Sequence, residues 1–239
     1  MPLEQSTFED RLRVVEDRIH RSVERCGRKR SDITLVAVSK KFSAEYIQVA
    51  FHAGLREFGE NYVQEFADKR PGLDQPDGTR FHLIGHLQSN KARSACELFD
   101  VIETADSAKL LQRLDACAVE QSKKLEILLE VKLSQEESKT GASPNEVPNL
   151  LAAAEECRRI RVTGLMTVPP WSEDAEISRP YFKQLADLAR VNGLRQLSMG
   201  MSNDFEVAIE EGATIIRVGT ALFGPRPKPQ KSVPSSSLS

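Results

Sequence analysis

The sequence has no long hydrophobic run, no surplus of charge of one sign and no paired cysteines, and each absence narrows what it can be. No apolar stretch approaches the roughly 20 residues needed to span a bilayer, so no membrane-embedded function is expected. Lysine and arginine total 33 against 35 aspartates and glutamates, a net charge of −2, which provides no electrostatic footprint for nucleic acid or a membrane surface. The four cysteines (Cys26, Cys96, Cys117 and Cys157) are far apart, with no C-x-x-C pair. That excludes a disulfide framework and the usual structural zinc spacing, and points to a reduced, cytoplasmic protein. Residues 1–27 are charged and helix-periodic, unlike a secretory signal. No G-x-G-x-x-G follows the first apolar strand, which disfavours a dinucleotide crevice.

What the sequence does contain is alternation. After an amphipathic helix at about 4–26, short apolar runs read as strands at 33–39, 56–60, 81–85, 101–104, 125–132, 161–168, 195–200 and 214–223. Between them lie segments such as SAEYIQVAFHAG, SAKLLQRLDACAVEQS and ISRPYFKQLADLARVNG, whose apolar residues recur at three- and four-residue spacings. Gly54 and Gly193 suit helix C-termini. Eight strands separated by helices or tight turns, in a chain of 239 residues, predict an α/β (β/α)8 TIM barrel rather than a doubly wound open sheet. One barrel domain is expected over 1–226, and a disordered Pro/Ser-rich tail over 227–239.

Barrel enzymes carry their working groups on the loops after the strands. In LVAVSKKFS the first strand runs into Lys40 and Lys41. Both would be solvated if they only marked the strand's exit, but alternation puts Val36, Val38 and Lys40 on one face and Leu35, Ala37, Ser39 and Lys41 on the other, so that only one lysine points into the barrel. Parity alone does not say which lysine. Arg217 lies inside the apolar run of strand eight, where a guanidinium needs partners; Glu103 and Glu130 are the candidate carboxylates. Gly219-Thr220 offers an unobstructed N–H and a hydroxyl. In GMSNDFEVAIEEG, Ser202 or Asn203 precedes a helix, and Asn203 with Glu206 could form a capping box. These residues on the last two loops also compose the usual phosphate cradle of a barrel. A lysine beside such a cradle suits a phosphorylated aldehyde held as a Schiff base, with burial lowering the amine's pKa in the required direction.

The motifs LVAVSKKF, FGENYVQE, FHLIGHLQSNK, SKTG, GLMTVP, SMGMSNDFEVAIEEG and IRVGTALFG, in order from about 30 to 224, resemble those of the pyridoxal-phosphate (PLP) homeostasis protein family. The resemblance implies the barrel of the alanine racemase N-terminal domain (fold type III of PLP proteins), with an extra N-terminal helix. It implies that Lys40 anchors PLP, that Arg217 faces the pyridine nitrogen, and that Ser202, Gly219 and Thr220 hold the phosphate. Asn61 and the Met199–Met201 segment would line the cofactor, and Lys41 would point away. An arginine there keeps the ring nitrogen unprotonated and weakens PLP as an electron sink. The implied role is cofactor buffering or delivery, with PLP and apo PLP-enzymes as partners and a monomer or weak dimer as the assembly. Phe42 stands where many members carry a second lysine, Lys41 where threonine is usual, and His86 where proline is frequent.

A weak PLP-dependent amino-acid racemase and an aldolase-like barrel acting on a sugar phosphate are the alternatives. The racemases take their second base from an additional β domain, and no run of short alternating strands follows strand eight here. Tyr46 and Tyr62 follow the first two strands and read as packing residues. His82 and His86 lack a third metal ligand. K-T-G at 139–141 lacks the S-x-x-K of serine β-lactamases and is expected to close over the cofactor instead. Trp171 is expected to cover a loop or face a partner.

Overall fold

The computed structural model describes residues 3–136 and 139–226; Ser138 of the SKTG motif and the tail at 227–239 lie outside them. Eight parallel strands close into a barrel in sequence order. They are β1 (Thr34–Val38), β2 (Glu57–Glu60), β3 (Arg80–Leu83), β4 (Val101–Ala105), β5 (Leu125–Glu130), β6 (Ile160–Met166), β7 (Gln196–Met201) and β8 (Ile215–Val218). The outer helices are α1 (Gln5–Arg25), α2 (Ala44–His52), α3 (Val63–Lys69), α4 (Ala92–Leu98), α5 (Ala108–Glu120), α6 (Val147–Glu155), α7 (Arg179–Val191), α8 (Phe205–Glu210) and α9 (Thr220–Phe223). The ring is closed by β1 on β8, where Val36 stands opposite Arg217. No helix among the described residues is long and apolar enough to cross a membrane.

Strand alternation divides the apolar residues into two shells. Leu35, Ala37, Phe58, Phe81 and Ile102 face outward into the main core beneath the helices. There Phe66 packs on Phe81 and Phe99, with ring centroids 4.5 and 5.0 Å apart. Val36, Val101, Leu128, Met166 and Ile215 face inward and form a separate small cluster. Such a small inner core leaves several inward positions to polar side chains, and the site is built from some of them.

Helix α1 buries Phe8, Val15, Ile19 and Val23, one face of a 3.6-residue period. It packs against α8 and α9: Phe8 meets Phe223 at 5.4 Å, and Arg18 pairs with Glu206 at 2.9 Å. That pairing replaces the expected capping box. Asp204, not Asn203, precedes α8, and Asn203 instead donates to the carbonyls of Ser172 and Glu173. Strand eight is also shorter than the apolar run predicts. It ends at Val218, and Thr220–Phe223 turns helical, burying Leu222 and Phe223. Gly54 and Gly193 do end helices, with φ of 92° and 68°.

Gly200 has φ of 91°, and a Cβ there would lie 2.6 Å from Ala208 Cβ and 2.8 Å from Phe205 Cα. The end of β7 can rest on α8 because this residue has no side chain. Gly200→Ala adds both the backbone penalty and the overlap, so it should destabilise the fold by about 2 kcal/mol or more. Urea denaturation would show this as a lower midpoint, and an unchanged midpoint would contradict the close approach.

Candidate functional site

At the C-terminal end of the strands lies a cavity of about 560 Å³, within the ~300–1,000 Å³ range of small-molecule sites. It is lined by Lys40, Asn61, Met201, Ser202, Arg217, Gly219 and Thr220, with Val38, Ile84 and Val168 as apolar wall. Seven of the eight residues singled out in the sequence are thus brought together. Met199 is the exception: it is fully buried in the outer core beneath the helices. Parity explains the split. Ser198 points inward and Met199 outward; the β7–β8 register then shifts between Ser198 and Met201, and the turn at Gly200 brings Met201 to the cavity.

Lys40 follows the inward series Val36 and Val38, whereas Lys41 is exposed and does not line the cavity. Lys41 adopts a left-handed φ of 66°, uncommon for a side-chain-bearing residue, which turns the chain so that Phe42 enters the outer core. The backbone on both sides of Lys40 is clamped. Lys69 Nζ donates to the Ser39 carbonyl at 3.0 Å and to Glu60 Oε1 at 2.9 Å. Ser39 Oγ donates to the same Glu60 oxygen at 2.8 Å, and the Lys41 N–H donates to Glu65 Oε1 at 2.5 Å. Lys40 Nζ itself has no hydrogen bond or ion pair among the described residues. Burial lowers its pKa, and the cations Arg226, Lys41 and Arg217 lower it further, against the opposing charge of Glu60. Both effects raise the share of neutral amine.

Gly219 and Ala221 turn their N–H groups toward Ser202 Oγ, at 3.3 and 3.4 Å. A Cβ on Gly219 would sit 3.3 Å from the Val38 carbonyl, so the bare position lets the end of β8 lie close against the end of β1. Helix α9 is a single turn, so the cradle relies on individual N–H groups and hydroxyls rather than on a long helix dipole. Asp204 holds this corner, accepting from the Met201 N–H at 2.7 Å and from Ser178 Oγ at 2.9 Å.

Arg217 has the partners that its burial demands. It donates to Ser198 Oγ at 2.5 Å and to the Thr167 carbonyl at 2.8 Å, and lies 3.8 Å from Glu103. Of the two candidate carboxylates, Glu103 is the one paired with it. Ser198 Oγ in turn donates to Glu103 Oε2 at 2.5 Å, and Glu103 Oε1 is 2.6 Å from His82 Nδ1. His82 Nε2 meets Glu57 at 2.7 Å. A column of alternating charge therefore runs along the barrel interior and ends on the cavity. Burial by itself would lower the His82 pKa, but the hydrogen bonds and charges of Glu103 and Glu57 outweigh it and raise the value to about 9. Burial would raise Glu103, yet His82, Arg217 and Ser198 hold it below the usual carboxylate range. In the sequence His82 stands out only as a metal-ligand candidate, and Ser198 does not stand out. The available signal was a polar residue at inward parity in each of strands three, four and seven.

A side chamber of about 180 Å³ adjoins the cavity through Asn61, Ile84 and Val168. Lys139 and Thr140 line it, so the described part of SKTG borders the site, and Thr140 donates to Glu130 at 2.9 Å. Trp171 lines the main cavity while 74% exposed. Tyr46 packs on Phe42 at 4.9 Å as expected, whereas Tyr62 is 52% exposed and so is not a packing residue.

The fold agrees with that of known proteins. The model described as alanine racemase, N-terminal domain, matches residues 14–227. An alanine racemase from Clostridium difficile 630 shares the fold at TM-score 0.69 and 16% identity, over 92% of this chain and 58% of that one. The class is therefore the barrel of the alanine racemase N-terminal domain. Within it, the pyridoxal phosphate homeostasis protein of Aquifex aeolicus (strain VF5) is 40% identical, covering 91% of this chain and 97% of the relative. The protein of that name from Escherichia coli K12 is 41% identical, covering 90% and 95%. PipY of Synechococcus elongatus PCC7942, solved with PLP bound, superposes at TM-score 0.79 and 38% identity, over 91% of this chain and all of that one. The chain belongs to the pyridoxal phosphate homeostasis protein family.

The charged His82 has a consequence for stability. Its folded pKa of about 9 exceeds the 6.5 of a free imidazole, so its contribution is complete below about pH 6.5 and is lost as pH rises through about 9. Urea titrations across that window should show unfolding free energy falling, by on the order of 3 kcal/mol from this group. His82→Gln should flatten that slope, and a wild-type profile already flat would rule out a charged His82.

Proposed function

We propose that this protein binds pyridoxal 5′-phosphate in the cavity at the ends of β1, β7 and β8, holds it as a Schiff base on Lys40, and serves intracellular PLP homeostasis by buffering and delivering the cofactor. The observation that carries this reading is a lysine amine without a partner among the described residues, lowered in pKa, in one cavity with the Ser202–Gly219–Thr220 cradle. The relatives' names and the PLP-bound PipY structure support the same cofactor. PLP supplies an aldehyde that condenses with a primary amine, losing water, and a phosphate that the cradle's N–H and hydroxyl groups suit.

The other residues fit the group. Asn61 Oδ1 is buried with no partner among the described residues, leaving an acceptor for a ligand donor. Arg217, fixed by Ser198, Thr167 and Glu103, presents a cation to the ring nitrogen and keeps it unprotonated. A racemase needs a base on each face of the ring. Among the described lining residues, Asp204 has both carboxylate oxygens engaged, and Arg217 and Arg226 are guanidinium groups. That favours a carrier over a weak racemase, and the carrier reading makes apo PLP-enzymes of the cytoplasm its partners.

Lys40→Ala should abolish the near-ultraviolet and visible absorbance of the bound cofactor, and Lys41→Ala should leave it. Borohydride should fix the cofactor on Lys40, read by peptide mass; fixation elsewhere would refute the assignment. Arg217→Ala should weaken retention and shift the absorbance band, whereas an unchanged spectrum would show that Arg217 does not touch the ring. Exchange of amino-acid Cα hydrogens above a free-PLP control would favour the racemase.

A further inference from the structure

At the opposite end of the barrel, where the strands begin, a second and larger cavity of about 930 Å³ opens between the starts of β3 and β7. Six cations line it: Arg80, Lys124, Arg158, Arg159, Arg161 and Arg195. Its two carboxylates are already engaged. Glu126 is bound by Arg80 and by Gln196, the latter at 2.8 Å. Asp100 accepts the Phe81 N–H at 2.9 Å and lies 3.8 Å from Lys123. Among the described residues, the other five cationic side chains have neither a hydrogen bond nor a carboxylate within 4.0 Å.

This concentration of positive charge stands out in a chain whose net charge is −2. Like charges brought together around a concave wall repel one another and contribute nothing to folding. The backbone carrying three of them is nonetheless held in place. Asp115 Oδ1 accepts the N–H groups of Arg158, Arg159 and Ile160 at 2.9, 2.7 and 3.2 Å. The arginine run is thus fixed at its base, while the Arg158 and Arg161 side chains remain exposed. Beneath them the wall is apolar, with Leu125 and Ile160 buried. Guanidinium groups carried on a fixed backbone around a concave wall, with their donors unspent, suit clustered phosphate oxygens.

We propose that this cleft binds a small molecule bearing two or more linked phosphates, at a site separate from the cavity of Lys40. The volume lies within the ~300–1,000 Å³ range of small-molecule sites, and the cleft is bounded by strand starts, which favours a small polyphosphate over an extended polymer. Free pyrophosphate and a nucleoside triphosphate share the recognised chemistry, and separate titrations distinguish them.

The test is isothermal titration calorimetry on the PLP-loaded full chain, with pyrophosphate and ATP as separate probes at low and at physiological salt. Saturable binding of either, at one site per chain and weakened by salt, is expected. Arg158→Ala/Arg195→Ala should lower that affinity by about tenfold, and Arg158→Lys/Arg195→Lys by less, with the cofactor absorbance unchanged in both. Failure of both probes to bind, or equal binding to the alanine variant, overturns the proposal. Binding that appears only as the probes displace PLP also overturns it by placing them at the phosphate cradle. Tight binding of an RNA oligonucleotide with no binding of the small probes would replace the proposal with a nucleic-acid surface.

Discussion

The interaction on which the molecule depends is the charged column through the barrel interior, from Glu57 through His82, Glu103 and Ser198 to Arg217. A guanidinium on an inward strand position costs several kcal/mol to desolvate unless its charge is matched and its donors are used. Glu103 matches the charge, and Ser198 and Thr167 use the donors. Glu103 would itself be costly if unpaired, and His82 pairs it from the other side. Each member is therefore held by the next, and removing one leaves a buried charge behind. The small apolar inner cluster is consistent with this arrangement, because the axial space is shared between methyl groups and a satisfied polar chain.

The cavity inherits its order from that column and from two local devices. Arg217 cannot swing, so one wall is fixed. The opposite wall is fixed by the Glu60–Lys69–Glu65 cluster, which grips the backbone on both sides of Lys40 while leaving its amine alone. The left-handed turn at Lys41 then separates two adjacent lysines into different environments, one lining a cavity and the other in water. The cradle is similarly a matter of backbone, made by the bare Gly219 beside Val38 and by Ser202 receiving two N–H groups. The polar groups around the cavity are tied to one another, while the Lys40 amine has no partner among the described residues.

Much of this was legible in the sequence because it is local. Period-two alternation put Val36, Val38 and Lys40 on one face and Lys41 on the other, the family resemblance selected Lys40, and the strand count gave the barrel. Gly219-Thr220 and Ser202 were recognisable as a turn rich in N–H and hydroxyl groups. What escaped depends on where strand ends bend or on partners far apart in the chain. Met199 was grouped with Met201 because the register shift at Gly200 leaves no trace in hydropathy. Asn203 looked like a cap, but Arg18, 188 residues from Glu206, takes the glutamate that the capping box required. Strand eight seemed to continue to Phe223 because a buried helical turn and a buried strand have the same apolar composition. Ser198 and Glu103 are 95 residues apart, and only the closed ring makes them neighbours.

Two ion pairs inside the ring also cross between its two halves. Arg80 of β3 pairs with Glu126 of β5, and Glu103 of β4 pairs with Arg217 of β8. Each contact joins the four-strand unit β1–β4 to the unit β5–β8, and the two contacts have opposite polarity. Neither half of the ring therefore balances its own inward charges: Glu126 and Arg217 of one half find their partners in Arg80 and Glu103 of the other.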